Sequence, residues 1–319
     1  MTVLFQEKYG SLSATGDAKE VTFGTPVVAT DFVPALSNTM ENDPGWFTPS
    51  VMQAVRDAQI YNLYGEQKNA GNVGAPLFPS NGIRYLVAAI GTDVVTGSTP
   101  SFIHTISEAN VLPSLTVEKN IGNFESLQFA GTRVSKYSIK ASSGNSAAEF
   151  TADLIAQSVA VLSTPTTVVV VNEEPFVFAE FTLTSGANNL QQATNFQLDI
   201  DNVMKETYTF NQSSELQFLT PTGLKVSGSF DVVFDDLTAT TNNFFTQVKN
   251  GTQASLSFKL AHPATGGSIV FTMPLVTLSK SNQDTKPESV VMETIDFQAM
   301  FSAGSTISAV VTNGVATAY

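Results

Sequence analysis

The residues best able to do chemistry in this chain are few, and their spacing argues against a reaction centre. The two histidines, His104 and His262, stand in or beside segments that read as strands, with no second ligand at metal-binding spacing. Asp199, Asp201, Asp231, Asp235 and Asp236 are calcium ligands by residue type alone. Strand alternation spreads them along a wet face, and the glycine that an EF-hand loop needs is missing. No Gly-x-Ser-x-Gly elbow, P-loop or His-Glu-x-x-His pair occurs. Any two acids could meet in space as a glycosidase pair, but nothing selects one. The absence of cysteine rules out disulfides and thiolate metal sites. The expectation is a protein that is no enzyme and holds no cofactor or metal.

The elements that must position these residues are strands. Phe196, Leu198 and Ile200 face one way, and Gln197, Asp199 and Asp201 the other. Leu224, Val226, Gly228, Phe230, Val232 and Phe234 alternate in the same manner with Lys225, Ser227, Ser229, Asp231, Val233 and Asp235. That is the period of a strand with one buried and one wet face. Over 148–157 Ile155 interrupts the polar set, which predicts a strand covered on both sides. A helix is predicted over 81–90, with Ile83, Leu86, Val87 and Ile90 on one face and a stop at Gly91. A second spans 240–249 and stops at Gly251. Thr48-Pro49 starts a third, through Val51, Val55 and Ala58, inside an otherwise irregular 34–70 segment. Val21-Thr22-Phe23 and Val27-Val28-Ala29 read as short strands around a turn. Residues 1–20 read as a flexible arm and 163–167 as a linker. Many strands with a short helix per unit indicate a mainly β sandwich or barrel.

The same strand–helix–strand pattern occurs twice. Gly71-Asn72-Val73-Gly74 leads into the 81–90 helix, as Gly228-Ser229-Phe230-Asp231 leads into the 240–249 helix. Thr151-Ala152-Asp153-Leu154 is echoed by Thr294-Ile295-Asp296-Phe297. The first copy needs an insertion between these landmarks, placed at 101–124, where Leu115-Thr116-Val117-Glu118 supplies an extra strand signal. The expected units are 21–163 and 168–319.

Composition supports a sizeable core, with 42% hydrophobic and only 13% charged residues. A formal net charge of −13 disfavours a surface that grips nucleic acid and reads first as solubility. An acidic surface could also line a channel through which DNA slides. Residues 1–8 lack the basic start and apolar core of a secretion signal, and no apolar run approaches the ~20 residues that span a bilayer. A soluble protein is expected. Asn211-Gln212-Ser213 and Asn250-Gly251-Thr252 match a glycosylation pattern that is read as chance without such a signal. Trp46-Phe47, Tyr61 and Tyr64 put aromatics into the irregular segment. Two readings stay open there: a docking surface, since rigid exposed aromatics anchor interfaces, or a segment folded onto its own core.

The order of these signals resembles the tail tube proteins of long-tailed bacteriophages, in their larger, duplicated type. The matching stretches include Phe23-Gly24-Thr25-Pro26-Val27-Val28-Ala29-Thr30, the 71–91 unit and Leu112-Pro113-Ser114-Leu115-Thr116-Val117-Glu118-Lys119. Phe129-Ala130-Gly131-Thr132-Arg133-Val134 and Glu174-Pro175-Phe176-Val177-Phe178 follow, then Asn195-Phe196-Gln197-Leu198-Asp199-Ile200-Asp201-Asn202. Val226-Ser227-Gly228-Ser229-Phe230-Asp231 and Ile295-Asp296-Phe297-Gln298-Ala299 complete the set. The 34–70 segment departs most. The resemblance implies two tandem tube-type sandwich or barrel units, each with a short helix. It implies homo-oligomeric rings, trimeric and pseudo-hexameric for a duplicated chain, stacked into a conduit for DNA ejection. Implied partners are the tail terminator, tape measure and baseplate or tip proteins, with DNA passing unbound and no membrane contact. The implied location is the virion tail, after assembly in the host cytoplasm. Trp46, Phe47, Tyr61, Tyr64, Leu115 and Val117 become candidate contacts between subunits or rings. Asp199, Asp201, Asp231 and Asp235 become a candidate acidic lumen face. The competing expectations are a carbohydrate-binding or adhesin-like sandwich and a glycosidase-type β enzyme.

Overall fold

In a computed structural model of the protein, alternating residues pair into antiparallel strands over most of the chain. It describes residues 13–319 apart from 53, 55, 58, 60, 123–124, 145, 170–171, 211–212, 235–242, 264–265, 286 and 288–289. The first half begins with β1 (Thr15–Lys19), β2 (Asp31–Val33), β3 (Ser37–Asn38), β4 (Glu41–Asp43) and β5 (Lys68–Pro76). Helix α1 (Ile83–Ile90) follows, then β6 (Gly91–Ser98) and β7 (Ser101–Glu108). β8 (Leu115–Ile121), β9 (Glu125–Ser142), β10 (Glu149–Ala156) and β11 (Ser158–Leu162) complete it. The second half opens with β12 (Phe181–Ser185), β13 (Asn188–Asn189), β14 (Ala193–Asp201), β15 (Met204–Thr207) and β16 (Phe218–Pro221). β17 (Lys225–Val233) and α2 (Phe244–Asn250) lead to β18 (Gln253–Ala261), β19 (Ser268–Asp284), β20 (Met292–Met300) and β21 (Ser308–Asn313).

One layer runs β4–β5–β10–β9–β14–β17–β20–β19. The other has two parts, β2–β1–β8–β9–β11 and β13–β12–β18–β19–β21–β7–β6. β9 and β19 are long enough to serve both layers, so the sandwich is stitched by its own backbone. Between the layers lies an apolar core rich in aromatics. Phe196 stacks on Phe258 at 4.4 Å between ring centroids, and Phe258 on Phe271 at 5.4 Å. In the first half Phe150 sits between Tyr137 and Tyr85, at 5.4 and 6.1 Å. Such pairs add about 0.5–1.5 kcal/mol each beyond the area they bury.

Both halves repeat one set of pairings. β5 lies on β10, β10 on β9, and β9 on β8 and β11; likewise β17 lies on β20, β20 on β19, and β19 on β18 and β21. The registers coincide, since Gly71 faces Leu154 and Gly228 faces Phe297. Even the irregularities recur. The β10–β9 ladder skips Ser135 and the β20–β19 ladder skips Ser279. Each skipped serine turns its hydroxyl back onto a backbone carbonyl: Ser135 donates to Asp153 O at 3.0 Å and Ser279 to Asp296 O at 3.2 Å. A bulge of this kind bends the strand and lets it pass from one layer to the other.

Several expectations give way here. The extra piece of the first half is the β6–β7 hairpin, which lies between α1 and β8 and pairs with β21. The strand at Leu115, expected to be the extra one, is instead the counterpart of β18. Within the expected arm at 1–20, residues 15–19 form β1, buried between β2 and β8. Residues 21–29 turn and run without strand pairing, although two strands were expected there. The described residues of 48–58 are not helical. Phe47 and Leu63 exchange backbone hydrogen bonds of 3.0 and 2.9 Å, and Ser50 bridges to Gln59, so these described residues pair as the two sides of a hairpin arm. Val55 and Ala58 of the expected helix lie outside the described residues.

The two predicted helices are present and shorter than drawn. In α1 the apolar face is buried together with Tyr85, Ala88 and Ala89, because β9 covers one side and the β6–β7 hairpin the other. Arg84 alone reaches outward, to Asp17 Oδ1 at 2.7 Å. In α2 the Asn243 side chain accepts from Thr246 N at 2.9 Å, and Gly251 ends the helix at φ +63°. Phe244 anchors that helix edge-on against Phe230 at 5.4 Å.

Candidate assembly surfaces

The β14–β17 alternation places Asp199, Asp201 and Asp231 on one face, with Phe196, Leu198, Ile200, Phe230 and Val232 buried beneath. Asp235 lies outside the described residues, as does Asp236. The same face carries Asp153 on β10 and Asp296 on β20, the two aspartates of the repeated Thr-x-Asp motif. Lysines interleave with them. Lys136 faces Asp153 and Asp201, Lys140 faces Gln197, Lys225 faces Asp201, and Lys280 faces Asp296. The face is therefore mixed in charge, where an acidic one was expected. Residue-type patterning identified the acids; the lysines were missed because they sit on neighbouring strands whose order only the pairing reveals.

Hydrogen bonds hold these carboxylates. Asp199 accepts from Ser138 Oγ at 2.6 Å and Gln197 Nε2 at 3.0 Å, with Lys136 Nζ at 3.4 Å. Asp231 accepts from Thr294 Oγ1 at 2.6 Å and Asn195 Nδ2 at 2.7 Å. Burial pushes the Asp153 carboxyl above its ordinary range, opposed by Lys136 and reinforced by Asp199. Ile155, expected to be covered on both sides, is half-buried on this face.

The hairpin arm between β4 and β5 presents the aromatics. Trp46 and Tyr64 pack ring against ring at 4.2 Å, yet each stays at least half exposed. Phe47 and Tyr61 are exposed to a similar degree, and Met52 entirely. These rings are therefore not folded onto the core. The β15–β16 hairpin braces the base of the arm: Tyr208 donates to Gln67 O at 3.0 Å and Gln67 N to Ser214 O at 2.8 Å. Leu115 and Val117 are a correction. Both are fully buried, because β8 is flanked by β1 and β9, so they pack the core and touch no surface.

The remaining polar groups serve the fold. His104 is buried with Nδ1 2.8 Å from Asp93 Oδ2 and Nε2 3.0 Å from Val315 O. Both ring nitrogens face acceptors, and Tyr319 N also donates to Asp93 at 3.0 Å, so this cluster fastens the C-terminal residues. Glu118, buried on β8, accepts from Thr166 N and Oγ1 at 2.9 and 2.7 Å and so pins the expected linker. Among the described residues no three His, Asp or Glu side chains gather as a metal site. An open hollow of about 450 Å³ lies between Ile90, Glu108, Asn202 and Phe301. Its one carboxylate, Glu108, is occupied in accepting from Thr306 N and Ile307 N. No helix of the described residues is long and apolar enough to cross a membrane.

The described residues thus form a mainly β sandwich with hydrogen-bonded polar faces, an edge strand β4 paired on one side and one arm of exposed aromatics. Residues 10–299 match the family model described as phage tail tube protein, and the chain belongs to that family. It is thus a structural tail tube protein of a bacteriophage virion, a subunit of a tube built with other tail proteins. The chain matches no curated protein.

Proposed function

We propose that the chain is the major tail tube subunit, whose copies join edge to edge into rings that stack into the conduit for DNA ejection. The observation that carries this reading is the doubled set of pairings, with matching registers and matching serine bulges in both halves. It supports two tube-type units, 21–163 and 168–319, with β1 added to the first. Three copies then supply six equivalent units, a trimeric ring with pseudo-sixfold symmetry. Strand edges left open in one copy are closed by the next, which also removes the aggregation hazard of a bare edge.

The polar face of the long layer is assigned to the lumen. Phosphates bind surfaces that offer unmatched cations and release counterions on contact. Here Lys136 is held by Asp199, and the other lysines stand among Asp153, Asp201, Asp231 and Asp296. Such a face offers DNA no run of free cations, and the chain's net charge of −13 adds a weak repulsion. The arm bearing Trp46 and Tyr64 is assigned to contacts between rings. Tail terminator, tape measure and baseplate or tip proteins would meet the tube at its ends and interior. Assembly is placed in the host cytoplasm, and no catalytic role is assigned.

The test is sizing chromatography and negative-stain microscopy of the purified chain, concentrated and seeded with tube fragments. Hollow rings or tubes are expected. A chain that stays monomeric throughout defeats the reading.

A further inference from the structure

The chain contains one complete seam between its halves and the two separated surfaces of another. In the complete seam, β9 pairs with β14 so that Lys136 lies opposite Asp201 and Ser138 opposite Asp199. Lys136 reaches diagonally to Asp199 at 3.4 Å. Every part of this arrangement recurs without its partner. β19 takes the place of β9: it lies on β20 with the same skipped serine, so that Lys280 corresponds to Lys136. β18 covers the far side of β19 only as far as Thr277, leaving 278–284 paired on one side among the described residues. Lys280 is exposed and has no ion-pair partner among the described residues.

The opposite end of the layer is complementary. β4 stands beside β5 as β14 stands beside β17. Glu41 faces Ala70 and Asp43 faces Lys68, where Asp199 faces Ser227 and Asp201 faces Lys225. Aligning β5 with β17 through Gly71 and Gly228 makes Glu41 the counterpart of Asp199 and Asp43 that of Asp201. The pattern acid–x–acid opposite lysine is thus present twice on each strand type and joined only once. Glu41, Asn42 and Asp43 are exposed, and β4 is paired on one side only among the described residues.

We propose that β19 of one copy pairs antiparallel with β4 of a second copy, with Asp43 opposite Lys280 and Glu41 opposite Asn282. This rests on the assembly reading above and adds to it the surface, the partner and the register. Lys280 then bridges Glu41 diagonally as Lys136 bridges Asp199. An exposed ion pair adds only about 0.2–1 kcal/mol, so the ladder hydrogen bonds hold the seam while the charges select its register. A slip of one residue turns Lys280 to the opposite face, away from both acids.

The absence of cysteine makes the register directly readable. Asp43→Cys and Lys280→Cys are made in separate chains, mixed, assembled and oxidised. Directly opposed residues are close enough for a disulfide with small adjustment, whereas residues on opposite pleat faces are not. The expected result is a covalent dimer from Asp43→Cys with Lys280→Cys, and a second from Glu41→Cys with Asn282→Cys. Replacing Lys280→Cys by Ser281→Cys should lose the dimer band at least tenfold. Thermal melts of each monomer matching the parent show that the variants fold. Assembled tubes lacking both in-register dimers, or yielding the 43–281 dimer equally well, overturn the register and leave the assembly reading standing. A parent chain that never assembles overturns both.

Discussion

At the scale of single residues, the most heavily burdened group is Asp17. It is fully buried on β1, one carboxylate oxygen held by Arg84 and the other without a hydrogen-bond partner among the described residues. Burial pushes its carboxyl up to about 7 from 3.8, against the pull of Arg84. The folded-state value lies above the unfolded one, so the neutral acid favours the fold. That stability is fully present below about pH 4 and is lost as pH rises through about 7. Asp17→Asn should therefore flatten the decline in melting temperature between about pH 4 and pH 7 relative to the parent. Thermal melts across that window measure it, and parallel curves for the two proteins would refute the assignment. Nothing in the sequence marks Asp17, because its burial comes from pairing with β2 and with β8, the latter far along the chain. Asp199 and Asp231, by contrast, were placed by alternation alone.

At the scale of elements, Gly71 and Gly228 show why the two halves share a register. Each sits where the neighbouring strand crosses too closely for a side chain. A Cβ on Gly228 would lie 2.1 Å from Gln197 O and 2.7 Å from Phe297 Cζ; one on Gly71 would lie 2.5 Å from Met40 Cα. Backbone atoms cannot swing aside as a side chain tip can. Gly71→Ala or Gly228→Ala should cost about 1–3 kcal/mol, read by urea denaturation, whereas Gly223→Ala, with only Val203 at 3.9 Å, should be near neutral. The glycines were legible as landmarks of the repeat, and the helices as apolar stripes ended by glycine. The hairpin arm was not. Its Thr-Pro start imitates a helix N-terminus, but Phe47 and Ser50 on either side of it pair across a turn with Leu63 and Gln59, which no local pattern reports.

At the scale of the whole molecule, edge pairing and arm contact are separable. The open edges of β4 and β19 lie within one layer, while Trp46 and Tyr64 stand on an arm that extends from it. Trp46→Ala combined with Tyr64→Ala should leave the monomer melting temperature within about 2 °C, since both residues are at least half exposed and add little to the core. Rings should persist and long stacks disappear in negative stain. Loss of rings along with stacks would place the arm within the ring contact itself.

By itself the amino-acid sequence determined the β character, the two helices, the doubled landmarks and the wet faces of β14 and β17. These follow from periodicity and from glycine, which act over a few residues. The tertiary structure decided which strands are neighbours, and with that everything that depends on distant partners. It buried Leu115 and Val117 between β1 and β8's other neighbour β9, and it brought lysines from β9, β17 and β19 among the aspartates. It also made the β6–β7 hairpin the inserted piece, joined to β21. Pairing across long loops is settled by the summed burial and hydrogen bonding of the whole sheet, and no short stretch of chain encodes that sum.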